Sequence, residues 1–218
     1  MLAPDTRNES KYISVKDAPR VILIAGYSCS GKTTLASRLS KELDCISFSV
    51  DDYYRAYSNL SFDDRRRINF DSPESIEAEL LVEDLRLLKN GQTIHKPVYD
   101  FSEFTRVGAE PVYPSHTIIV EGLFSLYWPE LNDLADLKIF VETDSRVCLA
   151  RRLERDAIER GRSEHDSLQR YMAHVEPNQT RYVLPTKVNS DLVVSGELPL
   201  DGSIAKIHER LGTLVAAV

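Results

Sequence analysis

The run Gly26-Tyr27-Ser28-Cys29-Ser30-Gly31-Lys32-Thr33 constrains this chain more than any other stretch. It fits the pattern GxxxxGK[ST] without a mismatch. Two glycines at that spacing let the backbone curl until consecutive N–H groups point inward, where they can hold phosphate oxygens. The context is the required one. Val21-Ile22-Leu23-Ile24-Ala25 is a continuous apolar run, as in a buried parallel strand. From 32 to 43, Leu35, Leu39 and Leu43 recur at helical spacing on one face. A helix there adds the positive end of its dipole to the cradle. A chance glycine turn before a surface helix would account for neither flank. Gly26, Ser28, Ser30, Gly31, Lys32, Thr33 and Thr34 are therefore read as a triphosphate cradle for ATP or another nucleoside triphosphate. Lys32 reaches the β- and γ-phosphates, and the Thr33 hydroxyl meets Mg²⁺.

The rest of the chain alternates strands with helices. Further strands are expected at 45–50, 117–120, 137–141 and 192–194. Helices are expected at 73–90, capped by Ser72 and stopped by Gly91, then at 145–160 and 202–214. Segments 93–98 and 106–113 read as a β-hairpin. This pattern predicts an α/β fold of the P-loop NTPase kind, a parallel sheet with helices on both faces. Residues 1–19 carry Pro4 and Pro19, lack a period, and read as a loosely held arm. Residues 20–218 form one domain.

Charge and cysteine usage narrow the classes. The net charge is −7 with no long Lys/Arg tract, which excludes a broad nucleic-acid or membrane surface. Cys29, Cys45 and Cys148 are scattered without CxxC spacing, against a disulfide framework or a zinc site. The opening segment lacks the apolar core of a signal peptide, and no apolar run is long enough to span a bilayer. A cytoplasmic protein is expected.

In such sheets ligands bind at the carboxyl ends of strands. Glu121 closes the third strand and Asp51 the second, so both are candidates for organising the metal. Asp51 can also take the proton of an attacking hydroxyl. Arg146, Arg151, Arg152, Arg155, Arg160 and Arg162 alternate with Glu154, Asp156 and Glu159. That run fits a solvated helix with i,i+4 ion pairs, or a lid over about 145–175 bringing guanidiniums to the transferred phosphate. A GTPase reading lacks its guanine-reading Asn-Lys-x-Asp, and a non-catalytic sensor would not need Asp51.

Taken together, several blocks resemble uridine–cytidine kinases of the phosphoribulokinase/uridine kinase group. They are the phosphate loop, Asp51-Asp52-Tyr53-Tyr54-Arg55, Asn69-Phe70-Asp71-Ser72-Pro73, Pro97-Val98-Tyr99-Asp100-Phe101 and Val120-Glu121-Gly122-Leu123. The run from Arg151 to Arg162 and Leu184-Pro185-Thr186-Lys187 follow in the family's order, so the likeness covers about 20–214. The resemblance implies a kinase of a small-molecule acceptor, a nucleoside, with Asp51 as catalytic carboxylate. It implies Thr33 and Glu121 at the magnesium site, Asp71 on the ribose hydroxyls and Tyr99 lining the nucleoside site. Arg152 and Arg155 match lid arginines, followed by Arg160 and Arg162. Tyr54, within these blocks, and Arg106, shortly after Phe101, join the acceptor set. The family is commonly tetrameric, which implies a homo-oligomer, tetramer or dimer. Two positions depart. Phe104 stands where members place a histidine that meets the base, and Arg170 where pyrimidine-selective members often carry glutamine. Other acceptors of the same chemistry are nicotinamide riboside, pantothenate, glycerate and a sugar phosphate.

Overall fold

The computed structural model describes residues 19–216; all of the N-terminal arm but Pro19 lies outside the described residues. Its centre is a parallel sheet of β1 (Arg20–Gly26), β2 (Ile46–Ser49), β5 (Thr117–Glu121), β6 (Leu137–Glu142) and β7 (Leu192–Ser195). The order is β2-β5-β1-β6-β7, and β1 pairs with β5 on one side and β6 on the other. β3 (Ile94–Asp100) and β4 (Thr105–Val112) form the separate antiparallel hairpin.

β1 is buried from Val21 onward because its side chains alternate between two apolar layers. Val21, Leu23 and Ala25 join Ile118, Val120, Leu81 and Leu85. Ile22 and Ile24 join Leu35 and Leu39 of α1 (Lys32–Glu42), with Ile207 and Leu211 of the closing helix. Each such fully buried aliphatic side chain contributes about 1.5–3 kcal/mol. Register then sets the site: Ile24 lies opposite Glu121 and Gly26 opposite Val141, so the phosphate loop and the acid at the end of β5 leave the sheet together. Among the described residues no helix is long and apolar enough to cross a membrane.

The expected helix over 73–90 is in fact broken. Pro73–Ser75 is a 3₁₀ turn, and α2 spans only Ala78–Lys89. Between them the buried Ile76 bridges Tyr54, and Glu77 N–H donates to Tyr53 carbonyl at 2.9 Å. Pairing with the segment that carries Asp51 outweighs helical continuity. Ser72 makes no capping bond. The strand expected at 45–50 stops at Ser49, and Val50–Tyr53 turns as a 3₁₀ helix.

The arginine-rich helix, α3, spans Ser145–Arg160 and ends at Gly161 in the left-handed region, followed by α4 (Glu164–Arg170). Beyond it lies helix that the sequence pattern did not show: wide π-turns at Tyr171–Val175 and Gln179–Val183, then a 3₁₀ stretch Leu184–Asn189. Pro177 lacks the N–H that a regular α-turn needs, and wide turns shift the side-chain period away from 3.6. α5 (Leu200–Ala216) closes the chain.

Candidate active site

The phosphate loop is shaped by close approach as much as by its own residues. At Gly26 a Cβ would sit 2.6 Å from Ser30 Oγ and 2.7 Å from Val141 carbonyl oxygen. Gly196, just after β7, is under the same constraint. A Cβ there would overlap the Ser30 carbonyl oxygen and the Thr143 hydroxyl. Thr143 Oγ1 donates to Ser30 carbonyl at 2.9 Å, and Arg151 spans the gap, donating to Cys29 carbonyl at 3.3 Å and Gly196 carbonyl at 3.0 Å. The loop is thereby fastened from behind. Gly196→Ala is expected to destabilise the fold by about 3 kcal/mol through overpacking. It is also expected to weaken nucleotide binding, read by thermal melting and titration with a non-hydrolysable ATP analogue. Beside the loop lies a cavity of about 600 Å³ lined by Lys32, Thr34, Arg151, Gly196, Leu198 and Leu200 among others.

The two strand-end acids meet at this loop. Thr33 Oγ1 donates to Glu121 Oε1 at 3.2 Å, while Glu121 Oε2 and Asp51 Oδ1 are buried without a hydrogen-bond partner. Burial first, then the nearby Glu121 charge, push Asp51 up to about 7 against the opposing pull of Lys32. The turn holding Asp51 is fixed by Ser49, whose Oγ accepts from Asp51 N–H at 3.2 Å while its own N–H donates to Asp52 Oδ2 at 3.4 Å. The adjacent acids then part ways. Asp52 pairs with buried Lys96 at 2.8 Å, which also binds Glu110 at 3.1 Å, so Asp52 is spent on the fold. Asp51 is not. The open Glu121 oxygen and the Thr33 hydroxyl are hard oxygen donors of the kind that suits Mg²⁺.

α3 faces the loop with its cationic side. Arg152, 8% exposed, donates from Nη1 to Ser28 Oγ at 3.1 Å. One turn on, Asp156 is fully buried within reach of four guanidiniums: Arg160 at 2.9 Å, Arg162 at 3.6 Å, and Arg152 and Arg155 at 3.7 Å. Burial, with the positive charges of Arg160 and Arg170 beside it, lowers the Arg162 pKa. Arg170 itself is exposed, near Arg162. Across from them burial raises the Asp71 carboxyl, opposed by Arg152, His174, Arg160 and Arg155. Asp71 thus lies within the field of Arg152, which also reaches the loop.

The expected acceptor side is aromatic. Tyr54 donates its hydroxyl to Phe70 carbonyl at 2.9 Å, and its ring lies 5.0 Å from Phe70 and 5.3 Å from Tyr99. Phe104, held at φ 53°, stacks on Phe70 with centroids 5.8 Å apart and also meets Phe62. The Tyr99 hydroxyl is buried without a partner. Arg106 stands apart from this set. Its Nε donates to Tyr54 carbonyl at 2.9 Å, its Nη2 to Tyr53 carbonyl at 3.1 Å, and its Nη1 pairs with Glu77 at 2.7 Å. It fastens the hairpin to the Asp51 turn. Residues without any sequence signal also enter: Gly196 behind the loop, His174 near Asp71, and Gln179 bonded to the loop, while Arg151 of the basic run sits behind the loop.

The model of the phosphoribulokinase/uridine kinase family matches residues 21–198. The chain belongs to that family. It is 36% identical over 204 residues to a uridine kinase of Ligilactobacillus salivarius, covering 90% of this chain and 96% of that one. It is 38% identical over 201 residues to a uridine kinase of Clostridium novyi, covering 88% and 97%. Among solved structures, a putative fructose transport system kinase from Silicibacter sp. TM1040 superposes with a TM-score of 0.68 at 21% identity, covering 88% of this chain and 93% of that one. Phosphoribulokinase from Rhodobacter spheroides gives 0.61 at 18% identity, covering 82% and 70%. These two share the fold. The family membership makes the chain a small-molecule kinase with an ATP-type phosphate donor.

Proposed function

We propose that this kinase transfers the γ-phosphate of ATP to the 5′-hydroxyl of a nucleoside, uridine or cytidine first, in the cytoplasm. One observation carries the reading. Asp51 keeps a buried, unpartnered carboxylate oxygen beside Lys32 and Glu121. A nucleoside held at Asp71 through its ribose hydroxyls presents its 5′-oxygen toward that carboxylate. The 5′-oxygen attacks the γ-phosphorus in line, the bond from phosphorus to the β–γ bridging oxygen breaks, and the hydroxyl proton passes to Asp51. A carboxyl group near pKa 7 accepts such a proton more readily than an ordinary one. Lys32, Arg152 and Arg155 neutralise charge on the transferred group, with Arg160 and Arg162 adding to the lid's positive field over 145–175. Thr33 and Glu121 would hold Mg²⁺, which when bound screens phosphate charge, while Asp51 beside them stays free to take the proton.

Base recognition is the point on which a second reading rests. Phe104 stacks against Phe70 and offers no hydrogen-bonding group to a base edge. A polar edge left unpaired in a closed site costs about 1–3 kcal/mol per group. The second reading keeps the chemistry and changes the acceptor to another ribosyl compound, such as nicotinamide riboside, or to pantothenate or glycerate. The deciding experiment is ATP consumption with Mg²⁺ against a panel of nucleosides, vitamins and small sugars. Strong uridine or cytidine turnover upholds the first reading, and turnover confined to a non-pyrimidine acceptor replaces it by the second. Inactivity with every hydroxyl acceptor overturns both.

A further inference from the structure

Gln179 has no part in the chemistry described so far, yet it makes the shortest hydrogen bond to the phosphate loop. Ser28 N–H donates to Gln179 Oε1 at 2.6 Å, across 151 residues of sequence. The bonded atom is the carbonyl oxygen, because a backbone N–H can only donate. Gln179 is 3% exposed and opens the π-turn Gln179–Val183, a geometry that recurs at functional sites. Ser28 is also gripped through its hydroxyl by Arg152, whose positive charge acts on Asp71. Ser28 is therefore at the acceptor-facing end of the loop, where the phosphoryl group to be transferred must lie. Its N–H is one of those that would otherwise point at a phosphate oxygen.

The neighbouring residue ties the same turn to the acceptor side. Asn178 Nδ2 lies 3.5 Å from Asn69 Oδ1, and that same oxygen accepts Asp71 N–H at 3.1 Å. Two consecutive residues thus touch the donor loop and the acceptor loop.

We propose that Gln179 is a positioning residue that latches the phosphate loop, its carboxamide oxygen holding the Ser28 N–H until the terminal phosphate of the donor takes that place. The inference rests on the kinase reading above. A diphosphate has no group at that position and leaves the latch closed. A triphosphate must displace it, so the latch lowers triphosphate affinity selectively, and its release accompanies loading of the site.

The test compares Kd for a non-hydrolysable ATP analogue and for ADP, each with Mg²⁺, by calorimetry on the full chain. Gln179→Met keeps side-chain length without an acceptor. It is expected to tighten the ATP analogue about 2- to 10-fold, the equivalent of one net hydrogen bond, and to leave ADP unchanged. Gln179→Glu keeps the acceptor and adds negative charge, and it is expected to weaken the analogue more than ADP. Circular dichroism of both variants checks that they are folded. Equal shifts for the two nucleotides in either variant, or weaker analogue binding by Gln179→Met, would overturn the latch, the second outcome because it makes the carboxamide a phosphate donor. Should Gln179→Met fail to fold, Gln179→Glu decides alone. A wild-type chain that binds neither nucleotide would instead sink the kinase reading.

Discussion

Asp51→Asn is expected to lose about 10²- to 10⁴-fold in kcat while melting at a higher temperature than the native chain near neutral pH. The two effects have one cause. Burial and the Glu121 charge hold the Asp51 carboxyl up at about 7, so its ionised form is costly in the folded protein. Between its ordinary value near 4 and about 7, the folded chain binds a proton that the unfolded chain has released. Folding stability from this group therefore falls as pH rises through that window and stays low above it, the reverse of a salt-bridged aspartate. The full difference is about 4 kcal/mol at most. Asparagine removes the ionisation and the penalty together, along with the proton acceptor. Thermal melts of native and Asp51→Asn protein from pH 4 to 8, with chelator present, are expected to diverge as pH rises. Parallel melting curves, or retained turnover, would remove Asp51 from its role.

Such a site spends stability on function, and that is why part of it shows in the sequence. An acidic pair just beyond a strand invites two readings, and here the pair divides: Asp52 finds Lys96, whereas one oxygen of Asp51 finds nothing. The phosphate loop was legible because all its determinants are contiguous, from the strand through both glycines to the helix. The same held for β5 and α3, whose patterns are local. What escaped depends on distant partners. Ile76 leaves its helix for Tyr54, and Arg106 is tied to the carbonyls of Tyr53 and Tyr54, contacts that no local pattern announces. Gly196 carries no motif of its own; the Ser30 carbonyl and the Thr143 hydroxyl, set against it in the fold, make a side chain there intolerable. Gln179 was hidden twice, by the π-turn that erases helical period and by the distance in sequence to Ser28.

Asp156 separates a positioned arginine cluster from a solvated helical face, the two readings that the sequence left level. In a solvated run each pair is exposed and contributes little. Here the carboxylate is fully buried, and the side chains of Arg152, Arg162, Arg155 and Arg160 are 10%, 28%, 30% and 40% exposed around it. Removing its charge leaves four guanidiniums repelling one another around a neutral centre. Asp156→Asn is expected to destabilise by about 1–3 kcal/mol, the usual cost of breaking a buried pair discounted for the solvent that still reaches three of the arginines. Arg152 then loses the anchor that aims it at Ser28, and misplacing a charge-stabilising donor typically costs about 10²-fold in kcat. Asp51→Asn and Asp156→Asn thus diverge in stability while agreeing in activity, the first melting higher and the second lower. Melting temperature, kcat and KM for ATP measured on both variants check this. A lower melting point with kcat preserved would make Asp156 a fold residue only, and would leave the lid arginines needing no organiser.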